Sequence, residues 1–282
     1  MRNAVIAISG FRGLGEGEFN LIKEVVHKES GIHLTDMKKA LVQSRVLKRL
    51  RALGMSDFEE YCRYLTDNYD AEIINLINCI TTNKTDFFRE PRHFDFLKER
   101  AFPEFERARK RKLRIWSAGC STGAEPYTIA ISICEYFRDR EMPDIRVLGT
   151  DIDTQVLQKA ESGIFSAAEL EGVHADLLRR YFRRGTGVNG GLFRIKEAAR
   201  NIVTFRRLNL LDDYYPMKGA FNIIFCRNVI IYFDSDSRRK LFEKFDGFLE
   251  DDGYLIMGHS ETLGGLTSRF SFIGNTIYRK AV

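Results

Sequence analysis

Residues 113–127 read LRIWSAGCSTGAEPY, and this stretch decides the fold. It starts as an apolar strand, passes through small residues and places Glu125 and Pro126 at the head of an apolar helical run. Small residues let a backbone turn tightly and approach a ligand, and a helix N-terminus offers unpaired N–H groups. The stretch therefore predicts a strand, a ligand-facing loop and a helix.

Strand and helix patterns alternate through the rest of the chain. Strands are predicted at 113–118, 145–151, 201–209, 221–228 and 253–260, helices at 125–138, 154–161 and 237–250, and a closing hairpin at 270–280. Such alternation indicates an α/β fold with a mostly parallel sheet and helices on both faces. Ligands of such sheets bind at the carboxyl ends of the strands.

The chain before residue 113 follows a different pattern. Apolar residues recur with a helical period over 18–82, which predicts a small all-α N-terminal domain. Four glycines in 10–17 predict that residues 1–17 form a flexible tail. Residues 83–112, punctuated by Pro91 and Pro103, are interpreted as a linker, and 113–282 as the α/β domain.

Composition excludes several classes of protein. The chain has 282 residues, 44% of them hydrophobic, and a net charge of +5, which is ordinary for a soluble protein and does not indicate nucleic acid as a partner. No run approaches the roughly 20 apolar residues of a membrane helix, and no leader pattern is seen, so a cytoplasmic protein without membrane insertion is expected. The five cysteines and five histidines lack the spacing of a disulfide framework or metal ligands, and no metal is expected.

Polar residues follow four of the predicted strands. Besides Glu125 after the first strand, Asp151 ends the second, Asn209 ends the third next to the apolar Leu210, and Arg227 and Asn228 end the fourth. An acidic residue at the end of the second strand can accept both ribose hydroxyls, which suggests an adenosine pocket. A nicotinamide dinucleotide normally requires the full glycine fingerprint, and Glu125 would repel its phosphates. A carboxylate suits an ammonium and a sulfonium, so S-adenosylmethionine is the expected cofactor.

Several strings extend this interpretation. TTNKTDFFREPRHF (81–94), WSAGCSTGAEPY (116–127), GTDIDTQVLQKA (149–160), RYFRRGTGVNGG (180–191) and FCRNVIIYF (225–233) resemble the chemotaxis receptor methyltransferases, in order and at matching spacing, from about residue 18 to the end. The resemblance implies a Rossmann-like class I methyltransferase sheet. It also implies transfer of a methyl group from S-adenosylmethionine to glutamate side chains of bacterial chemoreceptors, which leaves S-adenosylhomocysteine.

The resemblance also assigns site residues. Cofactor contacts are implied for positions in the linker and at the strand ends: Asn83, Thr85, Arg89, Glu125, Asp151, Asn209, Leu210, Arg227 and Asn228. Arg89 and Tyr232 match residues near the transferred methyl and are the expected catalytic pair. Residues 163–198 match a small inserted β-subdomain, with a helix predicted at 176–184 and a glycine-rich turn at 185–191. In some members this subdomain binds an aromatic-containing peptide from the receptor C-terminus.

A basic helix face in the N-terminal domain is the expected substrate surface. Lys38, Arg45, Lys48 and Arg49 fall within an arc of about 100° on a helix. The resemblance makes a glutamate-bearing helical bundle of a chemoreceptor the expected partner, which such a face would steer. Nothing in the sequence requires an oligomer, so a monomer is expected.

Two other functions stay open. One is an S-adenosylmethionine enzyme acting on nucleic acid or a small molecule. Enzymes that methylate amide or exocyclic nitrogens commonly carry Asn/Asp-Pro-Pro-Tyr after the fourth strand, whereas this chain reads CRNVIIY at 226–232, without proline. The other is a signalling module that binds the cofactor or a receptor without turnover.

Overall fold

The computed structural model describes residues 12–281. The contacts between these residues divide the chain into two units. The first unit runs up to Thr82 and includes Tyr232–Asp234, and the second comprises Asn83–Ile231 and the chain from Ser235 onward. Most of the predicted tail, residues 1–11, lies outside the described residues. The first helix begins at Glu16, two residues inside the segment assigned to that tail.

The first unit contains four helices, as the all-α prediction requires. They are α1 Glu16–Ser30, α2 Lys39–Leu53, α3 Phe58–Asp67 and α4 Tyr69–Ile80. Gly31 and Gly54 end α1 and α2 in the left-handed conformation, with φ of +66° and +72°, which glycine adopts without steric cost. Asp57 caps α3 by accepting a hydrogen bond from the Glu60 amide.

A buried ion pair joins α2 to α4 within this unit. The Glu72 carboxylate is wholly buried and accepts hydrogen bonds from Nε and Nη2 of Arg49 at 2.8 and 2.6 Å. The hydroxyl of Tyr61 donates to the same carboxylate at 3.0 Å. Arg45 donates to the carbonyl oxygens of Ile80 and Thr81 at the end of α4. These contacts fix two arginine side chains inside the unit.

The described part of the second unit contains ten strands, of which seven form one large sheet and three form a small one. The strands are β1 Lys112–Ala118, β2 Asp144–Asp151, β3 Ile164–Ser166, β4 Phe182–Arg184, β5 Leu192–Ile195, β6 Val203–Arg207, β7 Phe221–Cys226, β8 Leu249–Met257, β9 Phe270–Gly274 and β10 Ile277–Lys280. The large sheet has the order β6-β2-β1-β7-β8-β10-β9. The first five strands of this order are parallel, whereas β10 pairs antiparallel with both β8 and β9. Every residue of β7 is buried, as expected for a strand covered on both faces. The predicted parallel sheet is confirmed.

The helices of this unit are α5 Arg92–Phe96, α6 Phe102–Arg107, α7 Ala124–Tyr136, α8 Thr154–Ser162, α9 Ala175–Tyr181, α10 Glu197–Arg200 and α11 Ser235–Phe248. The segment interpreted as a linker thus contains α5 and α6, joined by a π-helical turn at Leu97–Ala101. Phe94, Leu97, Phe102 and Phe105 are buried along it. Their helical spacing outweighs Pro103, which lies in the first turn of α6, where its missing N–H costs no hydrogen bond.

The predicted insertion forms a separate three-stranded antiparallel sheet. Its order is β3-β5-β4, so β3 and β4 are its edges. The predicted helix 176–184 ends at Tyr181, and Phe182–Arg184 forms β4 instead. The reason is the burial of Phe182, whose ring contacts Phe87 edge to face at a centroid distance of 5.5 Å.

Replacing Arg49 by alanine is expected to destabilise the helical unit. The substitution leaves the wholly buried Glu72 carboxylate without its counter-ion, and breaking such a pair costs about 3 kcal/mol of unfolding free energy. Lys48→Ala, one residue away on the exposed side of α2, is the matched control and should change stability by less than about 0.5 kcal/mol. Urea denaturation followed by circular dichroism measures both. Equal stabilities for the two variants would refute a structural role for Arg49.

Candidate functional site

The loop after β1 folds closely over the end of β2. Gly119 and Cys120 both donate their amides to the carbonyl oxygen of Thr150 at 2.8 Å. Gly119 has a φ of +82°, and a Cβ built on it would lie 2.4 Å from Cγ2 of Val229. At Gly123, φ is +90° and a Cβ would lie 2.9 Å from the Cβ of Ala160. The small residues of this loop are therefore required by close packing as well as by the turn.

Asp151 lies at the end of β2 with its carboxylate held by backbone amides. Its Oδ2 accepts from the amide of Ser121 at 2.8 Å, and its Oδ1 accepts from the amide of Asp153 at 3.0 Å. The residue is 9% exposed, and burial raises the pKa of its carboxyl to about 6. An ionised carboxylate has about four lone-pair sites, so Asp151 retains acceptor capacity beyond its backbone hydrogen bonds.

The segment that begins at Asn83 lies against this strand end. The Asn83 amide donates to Oδ2 of Asp153 at 2.7 Å, and the hydroxyl of Ser121 donates to the Asn83 carbonyl oxygen at 2.9 Å. Asp153 also caps α8 through its other oxygen. These bonds place Asn83 beside Asp151, although about 70 residues separate them.

The next positions of the segment carry Thr85 and Arg89, both half-buried. Arg89 donates to the carbonyl oxygen of Lys84 at 3.1 Å. It is flanked by Phe88 and Glu90, which have φ values of +55° and +58°. Left-handed conformations of non-glycine residues are unfavourable and persist only where the surroundings enforce them. The ion pair between Glu90 and Arg227 holds Glu90 in this conformation.

Arg227 joins this segment to the first loop. Its guanidinium is 3% exposed and lies between two carboxylates, with Nη1 at 2.8 Å from Oε2 of Glu125 and Nη2 at 3.0 Å from Oε2 of Glu90. It also donates to the carbonyl oxygen of Arg89. Ser117 donates to the second oxygen of Glu125 at 2.7 Å. Burial opposes ionisation of Glu90, but Arg227 outweighs that cost and lowers the pKa of Glu90.

This geometry adds partners that the sequence analysis did not anticipate. Glu125 was expected to face a cationic cofactor group, and in the structure its carboxylate is already paired with Arg227 and Ser117. Its remaining lone pairs can still accept from an ammonium. Arg227, expected to contact the cofactor, is buried and makes its hydrogen bonds within the protein. The arginine therefore positions Glu125.

The ends of β6 and β7 complete the arrangement. The amide of Leu208 donates to the carbonyl oxygen of Asp151 at 3.0 Å, which brings Asn209 next to that strand end. Asn209 accepts from the amide of Leu211 at 3.0 Å, while Leu210 is buried. After β7, Asn228 adopts a φ of +59°.

Glu261 is a residue of this region that the sequence analysis missed. It is 3% exposed and accepts hydrogen bonds from the amides of Asn228, Val229, Ile230 and Gly258. Burial raises the pKa of Glu261, against the effect of these hydrogen bonds. A signal was available, because Glu261 follows the fifth parallel strand just as the predicted residues follow the first four.

Two histidines and a glutamate meet beside Arg227. Nδ1 of His93 lies 3.5 Å and Nε2 of His259 lies 4.0 Å from Oε2 of Glu90. His93 is wholly buried and donates from Nε2 to the carbonyl oxygen of Asn275 at 2.8 Å, and burial lowers its pKa to about 4. These are metal-ligand types, but the Arg227 guanidinium already binds the same Glu90 oxygen. The cation of this cluster is therefore the arginine.

The remaining predicted site residues belong to the first unit. Arg45 and Arg49 make the internal contacts described above, so they do not form an open basic face with Lys38 and Lys48. Lys38 is half-buried, with Nζ 5.4 Å from the ring centroid of Tyr232. The carbonyl oxygen of Tyr232 accepts from the amide of His33 at 2.8 Å.

A 3₁₀ turn at Asp36–Lys38 leads directly into α2, and the exposed side of this segment, 36–53, is less basic than predicted. Met37 is 91% and Leu41 44% exposed, and Ser44 and Lys48 are exposed as well. The spacing of four, three and four residues between them is that of a coiled-coil seam. We name these four residues the α2 stripe.

Comparison with known proteins identifies both units. The family models described as "CheR methyltransferase, all-alpha domain" and "CheR methyltransferase, SAM binding domain" match residues 17–81 and 83–279. The chain is 42% identical over 266 residues to the chemotaxis protein methyltransferase of Salmonella typhimurium, covering 94% of this chain and 90% of that protein. The corresponding proteins of Escherichia coli and Borreliella burgdorferi are 41% and 37% identical, with 94% and 93% of this chain covered and 91% and 94% of theirs. Within residues 12–281, no helix is long and apolar enough to cross a membrane.

Substitution of Gly119 by alanine is expected to destabilise the second unit through a steric clash with Val229. Gly172→Ala is the matched control, because Gly172 has a φ of +84° and no atom within 4 Å of a built Cβ. Both variants carry the backbone strain, and only Gly119→Ala carries the clash. Thermal or urea unfolding should show Gly119→Ala less stable than the control by about 2 kcal/mol. Equal unfolding free energies would contradict the close packing at this loop.

Proposed function

The chain belongs to the CheR methyltransferase family, and we propose that it transfers the methyl group of S-adenosylmethionine to glutamate side chains of chemoreceptors. The products are glutamate methyl esters and S-adenosylhomocysteine. The observation that carries the proposal is the match of both family domains, in order, over nearly the whole chain. We further propose that it acts in the cytoplasm as a monomer.

The cofactor-binding residues are proposed from the geometry of the strand ends. The free lone pairs of Asp151 suit the two ribose hydroxyls, and the polar Asn209 and apolar Leu210 suit the edge and face of an adenine. Glu125, held by Arg227, suits the ammonium of the methionine moiety. Asn83, Thr85, Arg89 and Asn228 line the same strand ends or the segment beside them. The donor set therefore fits S-adenosylmethionine, whose sulfonium would supply an already activated methyl group.

The chemistry demands alignment from the protein more than acid–base catalysis. A glutamate side chain with a pKa of about 4.3 is ionised at neutral pH and is itself the nucleophile. The enzyme must hold this carboxylate in line with the methyl group and keep water away. We propose that the hydroxyl of Tyr232 donates a hydrogen bond to the carboxylate. Arg89 would steer it without a tight pairing that lowers its nucleophilicity.

The α2 stripe is the proposed contact for the receptor helices. Its heptad-like spacing suits a helical bundle, its exposed Met37 and Leu41 supply adaptable apolar area, and Lys48 can attract a glutamate-rich helix. This replaces the broader basic face, because Arg45 and Arg49 are occupied inside the unit. A receptor C-terminal peptide is proposed to add a strand at an edge of the β3-β5-β4 sheet, as extended peptides do at exposed edges.

A labelled methyl-transfer assay tests the function. The protein is incubated with S-adenosylmethionine carrying a labelled methyl group and a chemoreceptor cytoplasmic fragment. We expect incorporated label that mild alkali releases as methanol, because a methyl ester hydrolyses where an N-methyl group does not. A fragment with its methyl-accepting glutamates replaced by alanine is the control. Alkali-stable label would indicate another class of methyltransferase, and cofactor binding without transfer would indicate a signalling module. Either result would refute the proposal.

Cofactor affinity is expected to depend on pH through Asp151. Burial raises the pKa of this carboxyl from its ordinary value of about 3.9 to about 6, so the acceptor form predominates only above that pH. The dissociation constant of S-adenosylhomocysteine should therefore be constant above pH 7. It should rise as the pH falls below 6, approaching about tenfold per pH unit. Asp151→Asn, which does not titrate, should bind more weakly with a flat profile. Calorimetry on both proteins measures this, and a flat wild-type profile from pH 5 to 7 would contradict the role of Asp151.

A further inference from the structure

Glu261 is a buried carboxylate whose lone pairs are all used inside the protein. Oε2 accepts from the amides of Asn228 at 2.7 Å and Gly258 at 2.8 Å. Oε1 accepts from the amides of Val229 at 2.9 Å and Ile230 at 3.0 Å. Four donors match the roughly four acceptor positions of an ionised carboxylate. Glu261 is therefore not available to bind a substrate or a cofactor.

Glu261 accepts from three successive amides of the loop, while Arg238 Nε donates to the carbonyl oxygen of Ile230 at 2.9 Å. Asn228 stands in the left-handed region, with φ of +59°, a conformation that asparagine adopts more readily than most residues with a side chain. The amides of Asn228, Val229 and Ile230 all point to Glu261, and without it three successive N–H groups would lose their partner in a largely buried place. One side chain thus satisfies three successive backbone amides of the turn.

The same loop is packed tightly on both sides. A Cβ built on Gly258 would lie 2.7 Å from Nδ2 of Asn228 and 2.8 Å from Oε2 of Glu261. On the other side, Val229 fills the space that a side chain at Gly119 would need. A shift of the Asn228–Ile230 loop would therefore disturb both Asn228 and the glycine loop after β1, and both belong to the proposed cofactor site.

We propose that Glu261 is a positioning residue for the cofactor site. It fixes the Asn228–Ile230 loop and, through Val229, the conformation of the loop at Gly119. This inference rests on the proposed function, because it assigns Glu261 to the same cofactor. It predicts that loss of the carboxylate weakens cofactor binding in protein that is still fully folded.

The test compares Glu261→Gln with wild type and with Glu141→Gln, a substitution at an exposed glutamate of the same unit. A glutamine presents one acceptor oxygen and turns an NH₂ group toward amide donors, so the loop loses part of its support. At a temperature where circular dichroism shows each protein folded, calorimetry should give at least tenfold weaker binding of S-adenosylhomocysteine for Glu261→Gln. Hydrogen exchange of the amides at 228–230 should be faster in that variant. Glu141→Gln should match wild type in both measurements.

Unchanged affinity in folded Glu261→Gln, with only a lower unfolding temperature, would overturn the inference and leave Glu261 a stabilising residue. If Glu261→Gln does not fold, Gly258→Ala decides, because its new Cβ displaces the Glu261 carboxylate and the Asn228 side chain while both residues keep their chemical identity. Weaker S-adenosylhomocysteine binding by folded Gly258→Ala supports positioning, and wild-type binding refutes it. A wild-type protein that binds the ligand but transfers no methyl group would defeat the proposed function and leave this comparison intact.

Discussion

The Arg227 guanidinium, held between the carboxylates of Glu90 and Glu125, is the interaction on which the second unit depends most. A buried charge is tolerated only when it is paired and hydrogen-bonded, and this arginine meets both conditions with carboxylates from two distant segments. It connects the end of β7 to the start of α7 and to the segment after Asn83. Because each of these carries an expected cofactor residue, one buried network sets their relative positions before any ligand arrives.

Carboxylates that accept backbone amides play the same part at the other strand ends. Asp151 holds the Ser121 amide, Asp153 caps α8, and Glu261 holds the turn after β7. Each compensates amides that a turn leaves without partners, and each fixes a loop in one conformation. Such prior fixing lowers the entropic cost of binding and favours the alignment that methyl transfer requires. Among these acids, Asp151 is the one that we propose for the ribose.

The sequence predicted the features that depend on neighbouring residues. It did not predict side-chain pairs between residues that are far apart along the chain. Parallel strands are predicted from continuous apolar runs, and the places of Asp151 and Asn209 at strand ends follow from the same pattern. By contrast, Arg227 meets Glu90 across 137 positions, and Arg49 meets Glu72 across 23. Neither pairing produces a pattern in the local sequence, so Arg49 was predicted to be a surface charge. The linker interpretation of 83–112 depends on Pro91 and Pro103, whereas the buried Phe94, Phe102 and Phe105 lie on α5 and α6.

The most direct test of the claim that the Arg227 network shapes the cofactor site is a calorimetric titration of Arg227→Lys with S-adenosylhomocysteine. Lysine keeps the positive charge but lacks the planar fork that bridges two carboxylates. Fluorescence of the single tryptophan, Trp116, which is buried in β1, reports whether the variant is folded. The account predicts at least tenfold weaker binding by folded Arg227→Lys than by wild type. Wild-type affinity in the folded variant would contradict it.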